Sequence, residues 1–538
     1  QMYLIDQHTK AIMEECKERA RDAGLVFENE TLEYIVTNRD LLDLSPKFMI
    51  PTLYDYWVND VEVLQQYAKY KLYPSNPFET VINSRPAISF YNDNNPDWLN
   101  IMIFYHVLAH IDFFQNNIYF SHTWDDDFVG IALADKRLIN MYRSKYGRWV
   151  DYVIEFARSI DNIVGFYSII FNQYLEETHK DPPPKLDFFF NNFLPNVIKA
   201  NEIDRYKFLK HFNELLAKNK DNAEQIFFSE LSSKYPEFEA IYNNYIKTKP
   251  KTTKFPDLLA FINEESPFLN KIENQWMKDI IVIIRNTALY FAPQLRTKIM
   301  NEGWASYWHD KLFRNDDRIR GHEIDYAKIN AEVTSISRIG LNPYAIGMRL
   351  YQYVEELADK GKLYRQYQEL DNIYQRETYD AKTSEGLKTI FDIRKYFTDY
   401  NFIKIYIDQD FVDRHQLFVV GKQYNPNEQI IDYYVKSRKA DDYKKMLIDS
   451  LYHPPVITPD MDKTNENQLY LIHKFEGKPL VQDFIPEVLI GLEYLWGGDA
   501  ILETTQVIIK PSENGDYSEE QKKVRYHCKQ RNVTIEEI

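Results

Sequence analysis

Apolar positions recur at helical spacing through most of the chain up to about residue 400, and in short alternating runs beyond it. Ile5, Ile12 and Met13 open an amphipathic pattern whose other face is charged through Arg21, so residues 1–45 read as helical. Pro51 stops that pattern inside the aromatic segment Met49 to Trp57. The run E-T-V-I-N-S-R-P-A-I-S-F, from Glu79, is β-branched and interrupted at Pro86, which predicts a short strand pair. Ile101 to Asn117 is apolar nearly throughout and predicts a helix. S-H-T-W-D-D-D-F, Ser121 to Phe128, predicts a capped start to further helix reaching Tyr174, ended by prolines at 182–184. Helices are expected over Leu258 to Glu264 and over Glu273 to Tyr290. The second meets a break at Pro293 and feeds N-E-G-W-A-S-Y-W-H, Asn301 to His309. Pro343 stands where a helix can start, and Ile346, Leu350, Val354 and Leu357 continue it.

Two stretches differ in texture. Residues 185–255 are polar and rich in Lys, Asn and Phe, closing on K-T-K-P-K-T-T-K-F-P, which reads as a helical insertion with a linker. Beyond Tyr400, β-rich segments at Gln416 to Gly421, Gln429 to Ser437 and Gln468 to Phe475 alternate with helices from Asp441 and Val481. A-I-L-E-T-T-Q-V-I-I-K adds a further strand. The expected fold class is therefore α+β: a mostly helical body over residues 1–400 and a small α+β domain over 401–538. The acidic, tyrosine-rich surfaces of that second domain suit docking more than chemistry. One continuous helical fold with an embedded sheet is the alternative.

Composition narrows the function classes. The chain has 538 residues, with 65 basic against 81 acidic side chains, a net charge of −16 and no strongly basic tract, which disfavours nucleic acid as a partner. Aromatic residues make up 15%, with 41 Tyr and 33 Phe, as expected of helices packed through large rings. Cys16 and Cys528 are the only cysteines, so there is neither a disulfide framework nor a cysteine zinc knuckle, and a reducing compartment is expected. No apolar run reaches about 18 residues and the start carries no export signal, so a cytoplasmic chain without a membrane span is expected.

The candidate chemistry lies in two of the expected helices. His106 and His110 are four residues apart, one turn along one helical face, the geometry of zinc-binding helices in metallohydrolases. Glu302 and His309 are seven apart and fall within roughly 20° of each other on a helix. Glu302 can supply the third ligand of a His-His-Glu site for a divalent metal, most simply Zn2+, with a position left open for water. Two hydrogen-bonded core imidazoles are the alternative reading of the pair. His309 reads either as a ligand or proton shuttle or as a capped core histidine, and Tyr344 either as an oxyanion donor or as packing. Asp112, roughly 160° around the helix from His110, is expected to be solvated or to support the ligands from behind. Asn116 and Asn117 are expected to cap the histidine helix, and Trp304 and Trp308 to form a core stripe.

Five motifs in order, F-E-T-V-I-N-S-R-P-A-I-S-F, H-V-L-A-H-I-D-F-F-Q-N-N, M-N-E-G-W-A-S-Y-W-H, I-N-A-E-V-T-S followed by G-L-N-P-Y-A-I-G, and L-W-G-G-D-A-I-L-E-T-T, resemble the SpoVR family, named for stage V sporulation protein R. The resemblance covers most of residues 50–510 apart from the insertion. It implies a cytoplasmic bacterial protein linked in spore-forming species to spore cortex formation and often encoded beside a PrkA-type serine kinase and a YhbH/YeaH-type protein. Where relatives resemble H-W-S-F-G-K, this chain has Tyr56-Trp57-Val58-Asn59-Asp60. The E-G-W-A core also resembles gluzincin-type metallopeptidases, whose glutamate is a metal ligand, which implies a zincin-like body with Glu302 as third ligand. Val107 stands where H-E-x-x-H enzymes carry their general base. The function so implied is a zinc-dependent hydrolase of a peptide or amide bond acting on a peptide-like substrate. The alternative is a non-enzymatic scaffold or regulatory partner in a PrkA-type kinase complex, keeping a structural metal.

Overall fold

Asp97–Asn116 forms a single helix in which every residue from Leu99 to Phe114 is buried. A helix apolar on all sides cannot lie on a surface, so the rest of its unit is built around it. The computed structural model describes residues 3–37, 79–124, 127–164, 183–198, 200, 202–219, 221–248, 255, 257–336, 342–425, 430–451, 454–475, 477–511 and 517–538. They divide into two compact units, Gln1–Arg137 with Pro293–His453, and Leu138–Ala292 with Pro454–Ile538. The fold class is α+β, a helical body followed by a C-terminal sheet.

In the first unit a helix over Gln7–Asp22 lies in the chain between the first two strands of a four-stranded sheet of β1 (Tyr3–Leu4), β2 (Thr31–Val36), β3 (Glu79–Ile82) and β4 (Ala87–Asn92), in the order β1-β2-β4-β3. β2 and β4 are parallel and the other pairs antiparallel. The strand at 31–36 corrects the expectation of helix through residue 45. Gly24, at a positive φ of 105°, turns the chain out of the first helix, and T-L-E-Y-I-V then alternates buried and half-buried side chains as a strand does. The strand pair around Pro86 forms as expected, with Ile82 opposite Ile88. The aromatic segment at Met49 to Trp57 and the Tyr56 to Asp60 departure lie outside the described residues.

Pro293 does not break its helix, which runs over Gln275–Arg296. The chain turns at Thr297, whose hydroxyl donates to the Pro293 carbonyl at 2.6 Å, and restarts as the glutamate helix, Lys298–Phe313. The free N–H groups of Ile299 and Met300 donate to the Asp399 carboxylate at 2.9 and 2.8 Å, a cap supplied from a hundred residues further on. The glutamate helix packs on the histidine helix and on the helix Pro343–Asp359. The second crossing is at bare backbone: a Cβ on Gly303 would collide with the Gly347 main chain, and one on Gly347 with the Ile299 carbonyl. Pro343 opens that helix as expected, with Asn342 accepting from the N–H groups of Tyr344 and Ala345. A hairpin of β5 (Val419–Asn425) and β6 (Ile430–Ser437) and a helix over Ala440–Ser450 complete the unit's last described stretch.

In the second unit, helices over Glu202–Lys218, Ala223–Lys234 and Phe238–Thr248 enclose a core of Phe189, Phe193, Phe212, Phe227, Phe228 and Phe238 drawn from residues 186–245 alone. Its C-terminal part is a five-stranded sheet, β7 (Val456–Pro459), β8 (Gln468–Lys474), β9 (Asp499–Pro511), β10 (Tyr517–Lys529) and β11 (Asn532–Glu537), in the order β11-β10-β9-β8-β7. β8 and β9 are parallel, joined by a helix over Ile485–Trp496 that ends at Gly497 in the left-handed conformation. No described helix is long and apolar enough to cross a membrane.

Candidate metal centre

The four-residue spacing of His106 and His110 places both imidazoles on the face of the histidine helix that meets the glutamate helix, with ring centroids 4.7 Å apart. Their Nε2 atoms point at the same oxygen, Glu302 Oε2, from 3.9 Å for His106 and 3.4 Å for His110. One ligand atom from each of the three residues lies within 4.8 Å of the others, and this is the one such group among the described residues. Burial, with His110 and His309 alongside, holds the His106 imidazole well below its ordinary pKa, so it is neutral and its approach to Glu302 is no ion pair. His110 is oriented from behind: its Nδ1 donates to Asn301 Oδ1 at 2.8 Å, so in the neutral imidazole the lone pair is on Nε2. Glu302 Oε2 is buried and accepts no hydrogen bond among the described residues. An orphaned carboxylate oxygen facing imidazole nitrogens is the donor set of a divalent cation with two imidazoles and one carboxylate, and the residues present fit one.

His106, His110 and Glu302 come together. His309 lies on the far side of His106, fully buried, its Nδ1 2.8 Å from His106 Nδ1 and its Nε2 2.8 Å from Asn330 Oδ1, so both of its nitrogens are engaged and neither is directed at Glu302. Burial lowers its pKa too, against the Asn330 hydrogen bond. The seven-residue spacing thus brackets one imidazole, with Glu302 at one nitrogen and His309 at the other. Tyr344, in the first turn of its helix, stacks on His106 at 6.0 Å between centroids. Asp112 is not solvated. It is fully buried, ion-paired to Arg394 at 3.0 Å, and accepts from Trp304 Nε1 at 2.9 Å and from the Val26 N–H at 2.7 Å. Trp304 and Trp308 are core, as expected. Asn117 ends the histidine helix and Asn116 donates back to the Asp112 carbonyl at 2.7 Å.

Sequence reading missed Asn301 and Asn330. Asn301 adjoins Glu302, and a polar neighbour to a ligand was a usable signal. Asn330 falls four residues after Tyr326 on one helical face, both buried, but only the packing shows what that face meets.

A family model described as SpoVR like protein matches residues 5–453. The chain belongs to the SpoVR family. The uncharacterized protein YcgB of Escherichia coli strain K12 is similar to it, 22% identical over 497 residues that cover 87% of this chain and 86% of that one. No solved structure matches. All of the cluster of this SpoVR chain lies inside the family match, whereas the sheet of β7 to β11 follows it in sequence, apart from the match.

Proposed function

We propose that this SpoVR chain is a metal-dependent hydrolase of a peptide or amide bond, with zinc held by His106, His110 and Glu302. The observation that supports it is Glu302 Oε2, a buried carboxylate oxygen that has no hydrogen-bond donor among the described residues and faces two imidazole Nε2 atoms. The chemistry supplied by zinc there is a coordinated water with a pKa lowered towards about 7 and a polarised carbonyl. The chain's own residues divide the remaining work. Asn301 fixes the His110 ring, Tyr344 stacks on His106 and is the hydroxyl proposed to donate to a developing oxyanion, and His309 serves through His106. The zincin-like character of the body and a cytoplasmic setting belong to the same reading, as does a peptide-like substrate such as a cell-wall precursor or recycled fragment.

Metal analysis of protein purified without chelator tests the site. One equivalent of zinc in the wild type, lost in His110→Ala and in Glu302→Ala, is expected, and equal metal content in all three would sink the reading. A second reading is favoured by one observation: Val107 follows His106, and no further carboxylate joins the cluster among the described residues, so no general base is in place. On that reading the metal is structural and the chain is a regulatory partner or scaffold of a PrkA-type kinase and a YhbH/YeaH-type protein. Bound zinc together with no turnover of any peptide or amide substrate, and co-purification with those two proteins, would select it.

A further inference from the structure

We infer that Asp310 and Asn330 act through His309 to hold His106 in the tautomer whose Nε2 is bare, a positioning relay that makes His106 a ligand. This rests on the metal reading of His106, His110 and Glu302. One member of the chain of contacts, the Asp310 carboxylate, can only accept. Asp310 Oδ1 takes hydrogen bonds from Arg314 Nε at 2.8 Å, from the Tyr326 hydroxyl at 2.6 Å and from Asn330 Nδ2 at 3.2 Å. Asn330 must therefore turn its amide nitrogen to Asp310 and its oxygen to His309.

That orientation settles the next proton. His309 Nε2 lies 2.8 Å from Asn330 Oδ1, an acceptor, so Nε2 carries the hydrogen and donates. In a neutral imidazole the other nitrogen is then bare, so His309 Nδ1 accepts. The atom facing it at 2.8 Å is His106 Nδ1, which must donate in turn. His106 is left with its lone pair on Nε2, the atom directed at Glu302. Reversing any one link would place a hydrogen on His106 Nε2 and remove it as a ligand. Metal-bound histidines commonly donate their second ring nitrogen to a carboxylate, a carbonyl or water. Here a second imidazole takes that place, and a carboxylate reached through an amide directs it. His309 and Asp310 come from the helix Lys298–Phe313 and Asn330 from the helix Glu323–Val333, so the packing of the two sets the tautomer.

Two readouts test the relay, and the first needs no metal. Nitrogen-15 NMR of histidine-labelled, metal-free full-length protein should show His106 and His110 with hydrogen on Nδ1 and His309 with hydrogen on Nε2. Hydrogen on His106 Nε2 would overturn the inference whatever the metal result. The second is titration with Co2+. Asn330→Leu removes both hydrogen bonds and should raise the dissociation constant about 10–100-fold, the range for losing a partner behind a ligand. Equal Co2+ affinity in wild type and Asn330→Leu, with both folded by circular dichroism, would overturn the relay while leaving the three-ligand site standing. A wild type with the expected tautomers that binds no Co2+ would instead overturn the metal reading and, with it, the relay's claim to make a ligand.

Discussion

Asp112 shows how a single side chain can control both stability and the site. It sits two residues past His110 and bonds Trp304, two residues past Glu302, so one hydrogen bond fixes the register between the two helices that carry the ligands. Its partner Arg394 is nearly as buried, and removing one member of such a pair strands the other charge. Asp112→Ala is therefore expected to lose about 3–5 kcal/mol in urea unfolding. Arg394→Met added to it should recover much of that, and an unchanged midpoint in the single variant would refute the assignment. Asp399 behaves differently. Burial pushes its carboxyl up from 3.8 to about 7, opposed by the two N–H groups it caps. A raised folded pKa means the native state holds the proton more tightly than the unfolded chain. The stability Asp399 contributes is therefore present below about pH 4 and is lost as pH rises towards 7, with a slope of at most about 1.4 kcal/mol per pH unit. The difference in unfolding free energy between wild type and Asp399→Asn, measured from pH 4 to 8, should follow that slope. A flat difference would show that Asp399 titrates at its ordinary value.

At the scale of elements, the site depends on one close helix crossing. Gly303 and Gly347 let the glutamate helix and the Pro343–Asp359 helix touch backbone to backbone, and Tyr344 reaches His106 from the latter. Gly347→Ala would force the pair apart against the Ile299 carbonyl. Overpacking of this kind costs about 1–3 kcal/mol, so a lower melting temperature and weaker metal binding are expected together. A stable variant with full metal affinity would show that the crossing has slack. The histidine helix is the opposite case, since its burial on every side leaves it no freedom to rotate, and its polar residues Asn100, His106, His110 and Asp112 are committed to interior positions.

For the whole molecule, the segment 186–245 closes a phenylalanine core on itself. Residues 183–255 should therefore be removable without loss of metal from the first unit. Metal analysis of the excised chain checks this, and a metal-free product that is still folded would refute it. A domain boundary near residue 400 is proposed from the change in sequence texture. Limited proteolysis should cut there or at 248–256, and a chain that yields no stable fragment would count against it.

The sequence by itself determined the local and the repetitive. A four-residue spacing of histidines, a seven-residue spacing of Glu302 and His309, and an unbroken apolar run are properties of helices, which follow from short-range geometry. The family motifs added which distant segments belong together. Some local readings still failed where one feature competed with another. Thr31 to Val36 continues a helical pattern of apolar positions yet forms a strand, since Gly24 ends the helix and β-branched residues follow, and Pro293 is tolerated near a helix end instead of breaking it. What only the tertiary structure decided is every contact between elements far apart in sequence. Arg394 neutralising Asp112, Asp399 capping the glutamate helix, and Asn330 meeting His309 span 282, 100 and 21 residues. Such pairs leave no period in the sequence, because nothing short-range relates their positions until packing buries a polar group and obliges it to find a partner.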